Sequence, residues 1–254
     1  MNQFNDRNAT EEELVVSKFV PTVVYVREDS LLHTRLCIYN YFSELFPSDR
    51  SGAQVSIWFF DQTGATLARR LIPIPYRGQL QFDLKLLDFE FEGTAGVALI
   101  PNTIPEFTHK GVGTGFYVYY YDDAGHADFS HEWDAMRFKP IKAEPWTCVI
   151  RPLLVPETDL IVMNSYYGCD QSQGTANWSA RIRNKHGKVV CEKAMPPLPP
   201  RSSVRLPISK IFPDVLDLAK AHQTIAIEAV GTNIMGPFTY VKAPSGDFNI
   251  HHFC

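Results

Sequence analysis

Short stretches in which apolar and polar residues alternate run along most of the chain, and a period of two predicts strands that bury one face. The clearest stretch occurs twice. Thr34-Arg35-Leu36-Cys37-Ile38-Tyr39-Asn40-Tyr41-Phe42 returns as Thr158-Asp159-Leu160-Ile161-Val162-Met163-Asn164-Ser165-Tyr166, displaced by 124 residues. The shared skeleton is Thr-x-Leu-x-(Ile/Val)-x-Asn-x-aromatic. Self-similarity at a fixed offset divides a chain into copies of one unit, so the rest of the sequence is read against that frame.

The apolar run from Phe19 to Val26 opens the first copy and aligns with Trp146 to Ile150, so that Arg27 falls on Arg151. Val55-Ser56-Ile57-Trp58-Phe59-Phe60 pairs with Trp178-Ser179-Ala180-Arg181-Ile182-Arg183. Each of these strands is followed by Asp/Asn-x-x-Gly, at Asp61 to Gly64 and at Asn184 to Gly187. An Asx side chain that starts a turn and a glycine that takes positive φ make this a hairpin signal. Pro73-Ile74-Pro75-Tyr76-Arg77 matches Pro197-Leu198-Pro199-Pro200-Arg201, again 124 residues on. Proline cannot donate to a ladder, so both segments are expected at edges or connections. Strands follow at Gln79 to Leu84 and Ser203 to Ile208, and at Thr94 to Ile100 and Thr224 to Val230. Pro213 to Lys220 suits a helical turn or two. Each copy closes with Asp-Phe-polar, at Asp128 and at Asp247.

The pattern predicts an all-β chain of two tandem homologous antiparallel β-sandwich domains with minor helical segments. The expected boundaries are a tail with a short helix over 1–17, one sandwich over 18–140 and a second over 145–254, packed with pseudo-two-fold symmetry. Thr10-Glu11-Glu12-Glu13 supplies the capping-box spacing for the helix, and Pro140 to Pro145 supplies a stiff linker.

Composition narrows the function. A net charge of −4 and a charged content of 20% give no electrostatic reason to expect nucleic acid or an anionic membrane. No apolar run is long enough for a membrane helix, and no secretory signal opens the sequence. The five cysteines (Cys37, Cys148, Cys169, Cys191, Cys254) lack CxxC spacing and suit a reducing compartment, so a cytoplasmic protein is expected.

Three features in each half bring a family into view. They are a strand ending in asparagine (Leu36 to Asn40, Leu160 to Asn164), an alternating strand (Val55 to Phe60), and a polar turn leading to a proline-marked connection. Together they make each half resemble the small β-sandwich of the sensory rhodopsin transducer family. The resemblance implies a non-enzymatic interaction module that often oligomerises. That family is single-domain, so the tandem arrangement departs from it, and no functional residue is carried across.

Candidate sites lie where the copies differ. Val55, Ile57 and Phe59 overlie Trp178, Ala180 and Ile182 as core. The opposite face holds Trp58 and Phe60 in the first copy but Arg181 and Arg183 in the second. An aromatic face on an antiparallel sheet needs either a packing partner or a ligand. In Phe116-Tyr117-Val118-Tyr119-Tyr120-Tyr121 alternation puts Phe116, Val118 and Tyr120 in the core and Tyr117, Tyr119 and Tyr121 on the other face, a stripe suited to peptide contact. The expected partner is a peptide or protein held by aromatic strand surfaces and the inter-domain groove, without a cofactor and with homo-oligomerisation as a further option. A bacterial pathway that holds a precursor peptide for a separate enzyme is one setting.

The rival reading is an enzyme, metal-dependent or acting on a small molecule. Asp128, His131, Asp247 and His251, near the ends of the two copies, could ligate a metal or act as acid and base. Strand alternation counts against it, since it separates Asp128 from His131. Lys110 to Gly115 has Rossmann-like glycines but precedes a strand, so the phosphate-binding context is missing. No GxSxG, HExxH or Walker lysine is present.

Overall fold

The computed structural model describes residues 21–48, 50–103, 115–132, 139–168 and 170–252, excepting the side chains of 132, 236–238, 251 and 252. The expected helix within 1–17, the loop residues 110–114, Cys169, Cys254 and the His251 side chain lie outside the described residues. Sixteen strands dominate the described residues. The first half contains β1 (Thr22–Glu28), β2 (His33–Tyr39), β3 (Ala53–Asp61), β4 (Thr66–Ile74), β5 (Gln79–Asp83), β6 (Phe91–Pro101), β7 (Phe116–Tyr121) and β8 (Ala127–Glu132). The second contains β9 (Glu144–Ile150), β10 (Glu157–Asn164), β11 (Trp178–Asn184), β12 (Val189–Ala194), β13 (Ser203–Pro207), β14 (Ile225–Gly231), β15 (Ile234–Lys242) and β16 (Phe248–His252). Among the described residues three short α-helices punctuate them: α1 (Phe42–Leu45), α2 (Ile208–Ile211) and α3 (Val215–His222). Among the described residues no helix is long and apolar enough to cross a membrane.

Each half holds two antiparallel four-stranded sheets. The first half has a front sheet in the order β1-β6-β3-β4 and a back sheet in the order β5-β2-β7-β8. Adding eight to every strand number gives the second half, with front sheet β9-β14-β11-β12 and back sheet β13-β10-β15-β16. The 124-residue offset also carries over to single hydrogen bonds. Asn40 N–H donates to Gly78 O and Asn164 N–H to Ser202 O, while the side-chain amides reach the two proline-marked segments one residue out of that offset, Asn40 at Pro75 O and Asn164 at Leu198 O. Arg77 and Arg201, at matching positions, both take positive φ, at 53° and 65°.

The two hairpin turns follow their sequence signal. Asp61 Oδ1 accepts from the Thr63 and Ala65 amides, and Asn184 Oδ1 accepts from those of His186 and Lys188. Gly64 serves a second purpose. Besides its φ of +87°, a Cβ there would sit 2.1 Å from Pro200 O, so the first half's hairpin abuts the second half's proline segment.

Within each half the sheets pack face to face. Val55, Ile57, Phe59 and Val97 of the first front sheet meet Leu36, Ile38, Phe82 and Val118 of the first back sheet. Ala180, Ile182 and Ile227 meet Leu160 and Val162 in the second, where α2 and α3 add Ile211 and Val215.

The halves do not pack with the expected two-fold symmetry. The outer face of the first front sheet lies against the outer face of the second back sheet. Val23, Trp58, Phe60 and Ala98 cluster with Tyr167 and Met235, while Ile161, Met163 and Tyr240 join the first half's core. Unlike faces meet, which makes the contact head-to-tail. Polar groups fix its register. Tyr25 and Arg205 both engage Glu92, at 2.7 and 3.0 Å, and Arg205 also faces Asp159. Thr94 pairs with the Tyr167 hydroxyl and donates to Arg201 O. Finally, β16 touches β8, Ile250 N–H donates to Asp128, and Phe248 and Ile250 belong to the first half's core cluster.

Candidate binding face

The head-to-tail packing leaves the outer face of the first back sheet uncovered. Register aligns its side chains in rows across four strands. One row runs Asp83, Arg35, Tyr119, Phe129; the next runs Gln81, Cys37, Tyr117, His131. Phe116, Val118 and Tyr120 point inward and are buried, as the alternation requires. The outward rings are exposed: Tyr117 by 53%, Tyr119 by 41%, Phe129 by 60% and Tyr39 by 40%. Phe129 lies 5.9 Å from the Tyr119 ring and 6.4 Å from that of Tyr117, so these three rings form one continuous patch. A sheet holds them at fixed spacing, which limits the entropy that a partner must overcome.

Beyond Tyr119 the column becomes polar. Tyr121 donates to Asp83 at 2.6 Å, and Arg35 reaches the same oxygen at 2.8 Å. Burial and the adjacent Asp83 push the Tyr121 phenol up to about 12. Burial alone would raise the Asp83 carboxyl, but the bonds from Tyr121 and Arg35 outweigh it and hold it below the usual range. Lys85 spans Asp123, at 3.0 Å, and the Tyr121 ring. His33, opposite Tyr121 in the sheet, has Nδ1 2.7 Å from Glu28 and Nε2 3.3 Å from Asp123. Burial raises the Glu28 carboxyl, and His33 offsets part of the shift. A cavity of about 350 Å³ opens here, with Glu28, His33, Lys85, Asp88, Phe89 and Glu90 on its walls.

The sequence-predicted residues are dispersed. Tyr117 and Tyr119 sit on the exposed patch, and Tyr121 belongs to the half-buried polar row. Trp58 and Phe60 are not a ligand floor. They are 1% and 0% exposed because the second half covers them: Tyr167 meets Phe60 edge-on at 5.4 Å, and Arg201 stacks over it. The expected groove between the halves is therefore a packed seam at these residues. Arg181 and Arg183 lie on the outer face of the second front sheet, away from the tyrosines. Both arginines serve Glu228, a carboxylate 2% exposed, which Arg183 grips with two nitrogens at 2.8 and 2.9 Å.

The two carboxylates of the rival site also have other partners. Asp128 accepts from Ile250 and Phe129 amides. Asp247 accepts from Ser245 and faces His126 at 3.5 Å, and His126 is held by Asp122 at 2.8 Å. His131 is exposed on the aromatic face. Among the described residues no group of three or more His, Cys, Asp or Glu side chains is arranged to hold a metal. Burial raises the Cys37 thiol, which makes it a poor nucleophile.

The sequence reading missed the Glu28–His33 pair. The available signal was a four-residue turn, Asp29 to Leu32, between two alternating strands, which sets residues 28 and 33 side by side. It also missed Phe129, whose row position depends on register.

No protein-family model and no curated protein matches the chain. Among solved structures, the serine-rich repeat protein Srr2 of Streptococcus agalactiae is similar over 100% of this chain and 93% of its own, at 7% identity and a TM-score of 0.19. A likeness that low carries no argument about fold or function.

Proposed function

We propose that this chain is a non-catalytic binding or adaptor protein that holds a peptide or protein on the aromatic face of its first back sheet. One observation carries the reading. The equivalent face of the second half, through Ile161, Met163 and Tyr240, is a docking surface already in use. The first half presents the same face with Tyr39 and Tyr119 exposed and Cys37 half-buried between them. Exposed, rigid tyrosine and phenylalanine in a contiguous patch are the side chains that dominate interface energies. Among the described residues Cys37, Cys148 and Cys191 are in no disulfide, which suits a reducing compartment, and we place the protein in the cytoplasm.

An enzyme built on Asp128, His131, Asp247 and His251 has weaker support, since Asp128 is committed to joining the halves.

A pull-down with the full chain tests the reading, with wild type compared against the double variant Tyr119→Ala/Phe129→Ala. Retention of the partner should fall about tenfold or more, with the melting temperature close to wild type. Light scattering on the same samples identifies a second copy as the partner if the mass halves in the variant. Equal retention by both proteins would reject the face.

A further inference from the structure

We propose that the cavity at the end of the tyrosine column takes a basic side chain, lysine or arginine, from the partner lying along the aromatic face. The inference rests on the function proposed above and gives that partner a charge.

Four carboxylates and one lysine line the cavity, and their pairing leaves a specific deficit. Asp29 is neutralised by Arg27 at 2.6 Å and also accepts from the Leu31 and Leu32 amides. Lys85 is drawn away toward Asp123 and the Tyr121 ring. His33 occupies only Oε1 of Glu28. The other oxygen, Oε2, is buried without a hydrogen-bond partner of good geometry, on a side chain 9% exposed. The Thr34 backbone N–H lies near this carboxyl but gives Oε2 no well-formed bond; a buried carboxylate oxygen so poorly served is costly, and a cation bearing N–H groups is the chemical species that relieves it. The outer wall adds two more acids, Asp88 and Glu90, both exposed at the rim. Between them Phe89 is 39% exposed and rests on Phe91 at 5.5 Å. An aromatic face among carboxylates favours an organic cation over a bare metal ion, because the ring attracts the charge while the carboxylates accept its hydrogen bonds.

The position fits a partner already on the sheet. His33 belongs to both sites, forming a wall of the cavity and standing 5.2 Å from the Tyr121 ring. A strand-like peptide over Tyr117 and Tyr119 advances about 3.3 Å per residue, so its basic residue lies roughly four to six positions beyond the one on Tyr117.

The test titrates the full chain with butylammonium, butylguanidinium and, as the opposite charge, butyrate, at constant ionic strength, following the His33 and Phe89 ring signals by NMR. Saturable shifts with one or both cations and none with butyrate are expected, and the stronger cation distinguishes lysine from arginine. Glu28→Gln should weaken the response about fivefold or more. Asp88→Asn/Glu90→Gln, at exposed rim positions where asparagine keeps the positive φ of residue 88, should weaken it as well, which guards against a Glu28 variant that misfolds. No saturable shift with either cation, an equal response to butyrate, or variants that respond like wild type would each overturn the proposal. Tyr119→Ala/Phe129→Ala should leave these small-cation shifts intact. A failed cation titration beside a partner lost on changing the aromatic face would discard the pocket and keep the face.

Discussion

The two back sheets present the same register to different surroundings. In the second half, Asp159, Ile161 and Met163 face the first half, and the two apolar side chains are sealed at 0% exposure. In the first half their counterparts are reached by solvent: Tyr39 is exposed, and Arg35 and Cys37 are half-buried. The front sheets show the converse. Trp58 and Phe60 are covered, while Arg181 and Arg183 at the matching positions face outward and hold Glu228. A head-to-tail pair has two free ends, and here only one end has been made polar. Tandem arrays stay soluble by capping their terminal units with charge. The chain caps its second front sheet in this way and leaves the first back sheet aromatic, which is the physical basis for reading that sheet as a site.

The strongest way to break this comparison is to give the covered front sheet the residues of the capped one. Trp58→Arg/Phe60→Arg places two charges in a buried seam beside Arg69 and Arg201, which already lie over these rings, and stability should fall by more than about 4 kcal/mol. Urea unfolding measures the loss; a midpoint near wild type would mean that the seam does not bury these positions. A matched pair sharpens the contrast. Ile161→Ala should cost about 2–5 kcal/mol by opening a cavity in the seam, whereas Cys37→Ala, its counterpart on the open face, should cost about 1 kcal/mol or less. Similar losses at both sites would remove the distinction between the faces.

The smallest effect concerns the link between halves at His126. The hydrogen bond to Asp122, aided by its charge and that of Asp247, raises the imidazole above its ordinary value. A raised folded-state value stabilises below the unfolded value and fades as pH climbs through the folded one. His126→Ala should therefore lower the melting temperature at about pH 5.5 and leave it unchanged at about pH 9. A difference independent of pH would assign His126 a packing role instead.

Much of this frame was legible in the sequence because it depends on local chemistry. Asp61 and Gly64 specify a hairpin wherever they occur, and the alternation in Phe116 to Tyr121 sorts core from surface without reference to the rest of the chain. The two aromatic faces were indistinguishable at that level. Trp58 and Tyr119 both stand on outward positions of strands, and only the contact between halves buries one and exposes the other. The same limit hid the head-to-tail packing, since similarity of two units says nothing about which faces they join. Glu28 and His33 were missed for a different reason: their value lies in an oxygen without a donor, and no spacing rule reports that.

The placement of Ile250 has a consequence for synthesis. This residue, with Phe248, completes the core of the half made first. At ~5–20 residues per second the roughly 120 residues after Glu132 take on the order of ten seconds to add. Through that interval the nascent first sandwich carries Trp58 and Phe60 bare and one flank unsealed. Of the two halves, the one made first is thus finished only with β16 of the other, and it should be a client for chaperones at the ribosome until that strand arrives.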